Sequence, residues 1–188
     1  MTLFEYISVA FSLVLSLAAV RLLSGLSLAL LEDGRFWVHG LWMLWVLGLS
    51  ALVWWNFWSF REAEWTLFGF LLVLGPPGSI YLMGAALVPE SPMNVHSWEN
   101  HFFFARRRFF LPLAAFFVTI STASYVLLDV PWTNPARPVQ GIACALAVVG
   151  ALSPSRRLHR ILPLVFWLMM VGISATLFVE PGSLTTEN

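Results

Sequence analysis

Runs of about 20 predominantly apolar residues recur six times along this chain, and a run of that length in helical form matches the roughly 30 Å hydrocarbon core of a bilayer. They read as Leu3–Leu31, Phe36–Phe60, Trp65–Val88, Phe109–Leu128, Pro138–Leu152 and Leu158–Val179. Inside hydrocarbon every backbone N–H and C=O must find its partner within the protein, which leaves α-helices and closed β-barrels as the only spanning structures. The expected fold is therefore all-α, a polytopic transmembrane bundle of about six spans. It forms one domain over residues 1–179, followed by a short polar tail at 180–188. The fifth run is the shortest and begins at a proline, so a tilted or interfacial helix stays open for it.

Composition agrees. Hydrophobic residues make up 59% of the 188 residues and charged ones only 11%, against roughly one quarter in a soluble domain. The connections are brief: Glu32-Asp33-Gly34-Arg35, Arg61-Glu62-Ala63-Glu64, Asp129 to Arg137 and Ser153 to Arg157, with only Pro89 to Arg108 longer. No globular domain fits outside the bilayer. The start of the chain lacks the basic region and small-residue cleavage site of a secretory signal, so the first run is expected to stay as a helix.

All ten basic residues are arginines, and their placement orients the chain. Arg35, Arg106, Arg107, Arg108, Arg156, Arg157 and Arg160 fall on one side of a six-span layout, and only Arg61 and Arg137 on the other. Short cytoplasmic loops carry the excess of Lys and Arg, which places both termini on the non-cytoplasmic side of the membrane. Tryptophans settle at headgroup depth, which suits Trp37 and Trp98 at one interface and Trp54, Trp55, Trp58, Trp65 and Trp132 at the other. Trp42, Trp45 and Trp167 lie deeper, as packing residues or as the lining of a ligand site.

Before the fourth run, Ser97 reads as the N-cap of a new helix. From Trp98 to Phe110 aromatic residues surround Arg106, Arg107 and Arg108. The expectation is a short amphipathic helix in the interface, Phe102, Phe103 and Phe104 dipping into the acyl boundary while the arginines meet anionic lipid headgroups or a partner protein. Nucleic acid is not an expected partner, because nothing else in the chain extends the basic cluster.

Candidate residues within the spans are few. Arg21 is the one basic residue well inside a run, where a charge is expensive and is read either as functional or as snorkelling to the interface. Glu5, Ser8, Ser12 and Ser16 share one face of the first helix, as a close-packing stripe or as the wall of a water-lined path. Gly75-Pro76-Pro77-Gly78 sits near the middle of the third run, where two missing amide donors and two loosened positions interrupt or kink a helix. Transporters place substrate sites at such breaks. His39, with Met43 one turn on, fits a proton relay, an axial haem ligand or an interfacial hydrogen-bonding residue.

The single cysteine, Cys144, forms no intramolecular disulfide, and no Cys/His spacing matches a structural zinc site. Paired carboxylates, nucleophile–base arrangements and phosphate loops are absent from the spans, so an enzyme is not the expected class and no cofactor is called for.

Phe4-Glu5-Tyr6-Ile7-Ser8-Val9, Leu22-Leu23-Ser24-Gly25-Leu26, His39-Gly40-Leu41-Trp42, Trp54-Trp55, and His101-Phe102 through Arg106-Arg107-Arg108-Phe109-Phe110 together form a pattern. It is similar to a group of small bacterial six-helix inner-membrane proteins with no established activity. The resemblance implies the fold and membrane, and marks Glu5, His39, Trp42 and residues 101–110 as more than generic; it supplies no substrate. Three functional expectations follow from the residues themselves: a small homo-oligomeric channel or transporter, a non-catalytic scaffold or accessory subunit, and, more remotely, a haem or redox protein using His39.

Overall fold

The computed structural model describes residues 2–31, 36–89, 95 and 97–177, apart from the side chains of 27–31 and 176–177. Arg35, Pro92, His96 and the tail at 180–188 lie outside the described residues. Among those described there is no strand. The helices are α1 (Leu3–Leu31), α2 (Trp37–Phe57), α3 (Leu67–Val73), α4 (Gly75–Leu87), α5 (Trp98–Leu128), α6 (Ala136–Leu152) and α7 (Arg156–Leu177), with a 3-10 turn, Trp58–Phe60, closing α2. Taking α3 and α4 as one segment, five helical segments are long and apolar enough to cross a membrane.

The segments alternate in direction. Phe4 at the start of α1 stacks on Phe57 at the end of α2, with ring centroids 5.1 Å apart. Arg21, toward the other end of α1, reaches the Val88 carbonyl just past α4. Arg156 pairs with Glu99 at 3.4 Å, bringing the starts of α5 and α7 to that same end. We call this the arginine-rich end, since Arg107, Arg108, Arg156, Arg157 and Arg160 are all exposed there.

α6 runs antiparallel along α5. Its first turns meet Ser121 through Gln140, its middle brings Cys144 to the Ala114 carbonyl, and its last turn lays Gly150 against Phe110. Its 17 residues rise roughly 26 Å, nearly the thickness of a hydrocarbon core. Pro138 falls in the first turn, where a missing amide donor breaks no helix bond. A Cβ on Gly150 would stand 2.8 Å from the Phe110 ring, so only glycine lets the two helices come this close.

One expectation is corrected. The helix capped by Ser97, whose Oγ accepts from the Asn100 amide at 3.3 Å, is not a separate interfacial element but continues unbroken into the fourth span. Trp98, Phe102, Ala105 and Phe109 are buried along it at helical spacing and bind it to the bundle, and its first proline is Pro112. Hence Trp98 and Phe102 are interior residues, each 1% exposed, and of the three phenylalanines only Phe104 is exposed.

The Gly75–Gly78 break is modest. Leu74 separates α3 from α4 but keeps helical dihedrals, and the Gly78 amide resumes the ladder by donating to the Leu74 carbonyl at 3.0 Å. A Cβ on Gly75 would meet the Thr119 side chain at 2.8 Å, so this glycine serves the close approach of α5.

Candidate functional site

A cavity of about 180 Å³ opens among α2, α5, α6 and α7, in the half of the bundle away from the arginine-rich end. Its walls are mostly apolar. Trp45, Phe57, Phe60, Phe116, Phe117 and Phe166 supply aromatic faces, with Met169 and Met170 between them. The Trp45 indole N–H donates to the Phe166 carbonyl at 3.0 Å, which fixes the ring while leaving its faces free for apolar contact. Beyond Trp45 the interior is closed by Trp42, which is fully buried and packs edge-on against Phe109 and Phe110.

Polar groups gather at one end of the cavity. The tightening of α2 into the 3-10 turn brings Asn56 and Ser59 onto the wall. The Asn56 amide donates through Nδ2 to the Leu52 carbonyl at 2.9 Å, so its orientation is set and Oδ1 remains a buried acceptor without a partner. The Ser59 Oγ is likewise buried and unpartnered, in a residue 7% exposed.

Arg137, 8% exposed, also lines the cavity, from the start of α6. The local chain explains its position. α5 ends at Asp129, whose left-handed φ of 52° turns the backbone, and the Asn134 Oδ1 accepts the Ala136 amide at 2.9 Å to start α6. The guanidinium donates through Nη1 to the Ser121 carbonyl at 2.8 Å, Ser124 Oγ at 3.0 Å and Gln140 Oε1 at 3.3 Å. Nη2 reaches the Val130 carbonyl at 2.8 Å and Nε the Pro131 carbonyl at 3.4 Å. Trp132 covers the guanidinium 4.9 Å from its ring centroid.

Every one of these partners is neutral. Among the described residues no carboxylate pairs with Arg137. A guanidinium has five N–H bonds, and Nη2 makes a single contact, so one donor remains. Burying an unpaired charge is costly, and here five neutral acceptors offset that cost.

Of the residues singled out in the sequence, Pro76 lines this cavity; Arg21, Ser12, Ser16, His39, Gly75, Pro77 and Gly78 are not in its wall. Arg21 is held at the end of α4. Ser8 and Ser12 donate to carbonyls of their own helix, and Ser16 is exposed on its outer side. His39 is 1% exposed and packed among Trp98, His101 and Phe102 near the arginine-rich end. Among the described residues no group of three or more His, Cys, Asp or Glu side chains is arranged to hold a metal. Trp45, one of the deep tryptophans, does line the ligand-sized space.

Asn56, Ser59 and Arg137 were missed because they come from separate segments. A signal was present: Arg137 and Gln140 lie one turn apart at the start of an otherwise apolar helix. No family model, curated protein or solved structure matches the chain.

Proposed function

We propose that the protein is a small membrane carrier that takes a compact, largely apolar solute into the cavity among α2, α5, α6 and α7. The observation that carries this reading is the cavity itself, aromatic along its walls and polar at one end, the usual make-up of a small-molecule site. A carrier fits better than a channel. Trp42, Phe109 and Phe110 close the interior beyond the cavity, so passage would need the bundle to rearrange rather than a standing pore.

In this reading the arginine-rich end faces the cytoplasm of a bacterial inner membrane, following the positive-inside rule, and the cavity is loaded from the opposite face. Arg107 and Arg108 are exposed where anionic headgroups would lie.

Binding of 4-fluorobenzyl alcohol to protein in lipid nanodiscs, followed by fluorine NMR, tests the cavity. The expected result is saturable binding above the partitioning into empty nanodiscs, lost on Val139→Phe, which fills the wall of α6. Purely non-saturable partitioning in the wild type would remove the reading.

A further inference from the structure

We infer that the carrier is coupled to protons, with His39 as the group that takes the proton and His101 as its route from the arginine-rich end. This rests on the carrier reading above and names the ion that drives it.

His39 stands out by what it lacks. It is 1% exposed, and neither Nδ1 nor Nε2 has a hydrogen-bond partner in the protein. The Leu87 carbonyl lies near the ring without reaching bonding geometry. A neutral imidazole brings one donor and one acceptor, and leaving both unmade in the interior is costly. A titratable side chain kept at that cost inside a spanning helix is a candidate for proton binding by its position alone.

Its surroundings supply a route and no counter-charge. His101 on α5 is half-buried, and its ring centroid is 5.9 Å from that of His39. The His101 Nε2 stands 3.2 Å from the Ala86 carbonyl, and donating there leaves Nδ1 as the basic nitrogen. Trp98 packs on both rings, at 4.9 and 6.0 Å. On α7 the titratable group at this end is His159, which lies against Phe102. On α1 it is Arg21, whose guanidinium is held by the Val88 carbonyl. Among the described residues no ion pair includes any of the three histidines.

A proton on His39 is therefore a buried charge without a partner, which the packing described here opposes. The same packing seals the cavity. His39 meets Phe102 at 6.2 Å, Phe102 meets Phe110 at 6.4 Å, and Phe110 meets Trp42 at 5.5 Å, each edge-on. Loosening the first contact loosens the last, and Trp42 is the side chain that closes the interior beyond the cavity. The sealed form thus goes with neutral His39 and the released form with the protonated ring. The proton comes from water and returns to it, so only an N–H bond is made and broken.

The test uses 4-fluorobenzyl alcohol and 4-fluorobenzamide, both uncharged between pH 8 and pH 5, on protein in nanodiscs of zwitterionic lipid. Their binding, followed by fluorine NMR, is expected to weaken at least about fivefold from pH 8 to pH 5, the low end of ordinary coupling between two sites. Reciprocally, saturating the wild type at pH 5 in weak buffer should release protons, up to one per chain. His39→Gln stays polar without titrating and should bind equally at both pH values. His101→Gln should keep the difference, because a route alters rates and not end states.

Affinity that is flat or rises toward pH 5 would overturn the proton assignment and leave the cavity reading standing. So would a difference that persists in His39→Gln or disappears in His101→Gln. Absence of proton release from the wild type would overturn it without reliance on the folding of any variant. Failure of both probes to saturate at every pH would overturn the two readings together.

Discussion

Arg21 binds the Val88 carbonyl through two guanidinium nitrogens at once, Nε at 3.0 Å and Nη2 at 2.9 Å. Val88 is the residue at which α4 ends, so the cation of α1 sits against the negative end of another helix dipole. Replacing Arg21 with Met should lower the stability of the bundle by about 1–3 kcal/mol, the range for hydrogen bonds from a charged donor. Arg21→Lys keeps the charge but loses the fork and should recover only part. Unfolding midpoints in mixed micelles over a denaturant titration read both changes.

The two prolines of the α3–α4 junction should separate by function. Pro76 lines the cavity and Pro77 does not. Pro76→Ala removes wall atoms and should weaken binding of the fluorinated ring probes a few-fold, on the order of 1 kcal/mol for lost apolar contact. Pro77→Ala leaves that binding unchanged, and its new amide faces the Val73 carbonyl in helical register. Fluorine NMR titrations of the two single variants decide it.

His159 is fully buried, with Nδ1 2.8 Å from the Ser155 carbonyl and Nε2 3.0 Å from the Gly150 carbonyl. It clips the end of α6 to the start of α7. His159→Leu removes the imidazole from between the two carbonyls; Ser155 keeps the amide of residue 159 as a donor at 3.2 Å, and a loss of about 1–3 kcal/mol is expected in the same unfolding titration. Hydrogen exchange should rise first around Gly150–Leu152 and the first turn of α7.

Arg107 and Arg108 are exposed, whereas the Arg106 side chain turns back to the Phe103 carbonyl at 2.9 Å. Changing Arg107 and Arg108 to Gln should reduce enrichment of anionic lipid around the purified protein by roughly 1 kcal/mol for each arginine. Arg106→Gln should do less. Native mass spectrometry of co-purified lipid measures the difference, once correct insertion of each variant has been checked by cysteine labelling of a terminal tag.

Sequence periodicity and length made the helices legible, since the apolar runs are as long as a bilayer requires and the turns between them carry their own markers. Ser97 caps α5 as the pattern indicated, and the helix expected from Pro138 begins two residues earlier, at Ala136. The misreading at Trp98–Phe110 arose because arginine flanked by phenylalanine describes an interfacial helix and an extended, packed one equally well. What distinguishes them is the partner against which Trp98 and Phe102 bury, and that partner, around His39 and His159, lies far away in sequence.

The candidate site was legible only at Trp45 and Pro76. A local break can be seen in a single segment, whereas Asn56, Ser59 and Arg137 acquire meaning only when α2 and α6 face each other. Arg137 in particular entered the sequence reading as one charge in an orientation count, alongside Arg61, which is exposed and paired with Glu62 at 3.0 Å; the one local difference is Gln140 a turn further along the same helix.

The His159 clip has a mechanical corollary. α6 and α7 are two rods fastened at one tip, with the three-residue link Ser153–Ser155 and the clip at the same place. Because α6 also lies along α5, held there at its far end by Gln140 and Arg137, the clip joins α7 at one point to an already paired unit of two helices.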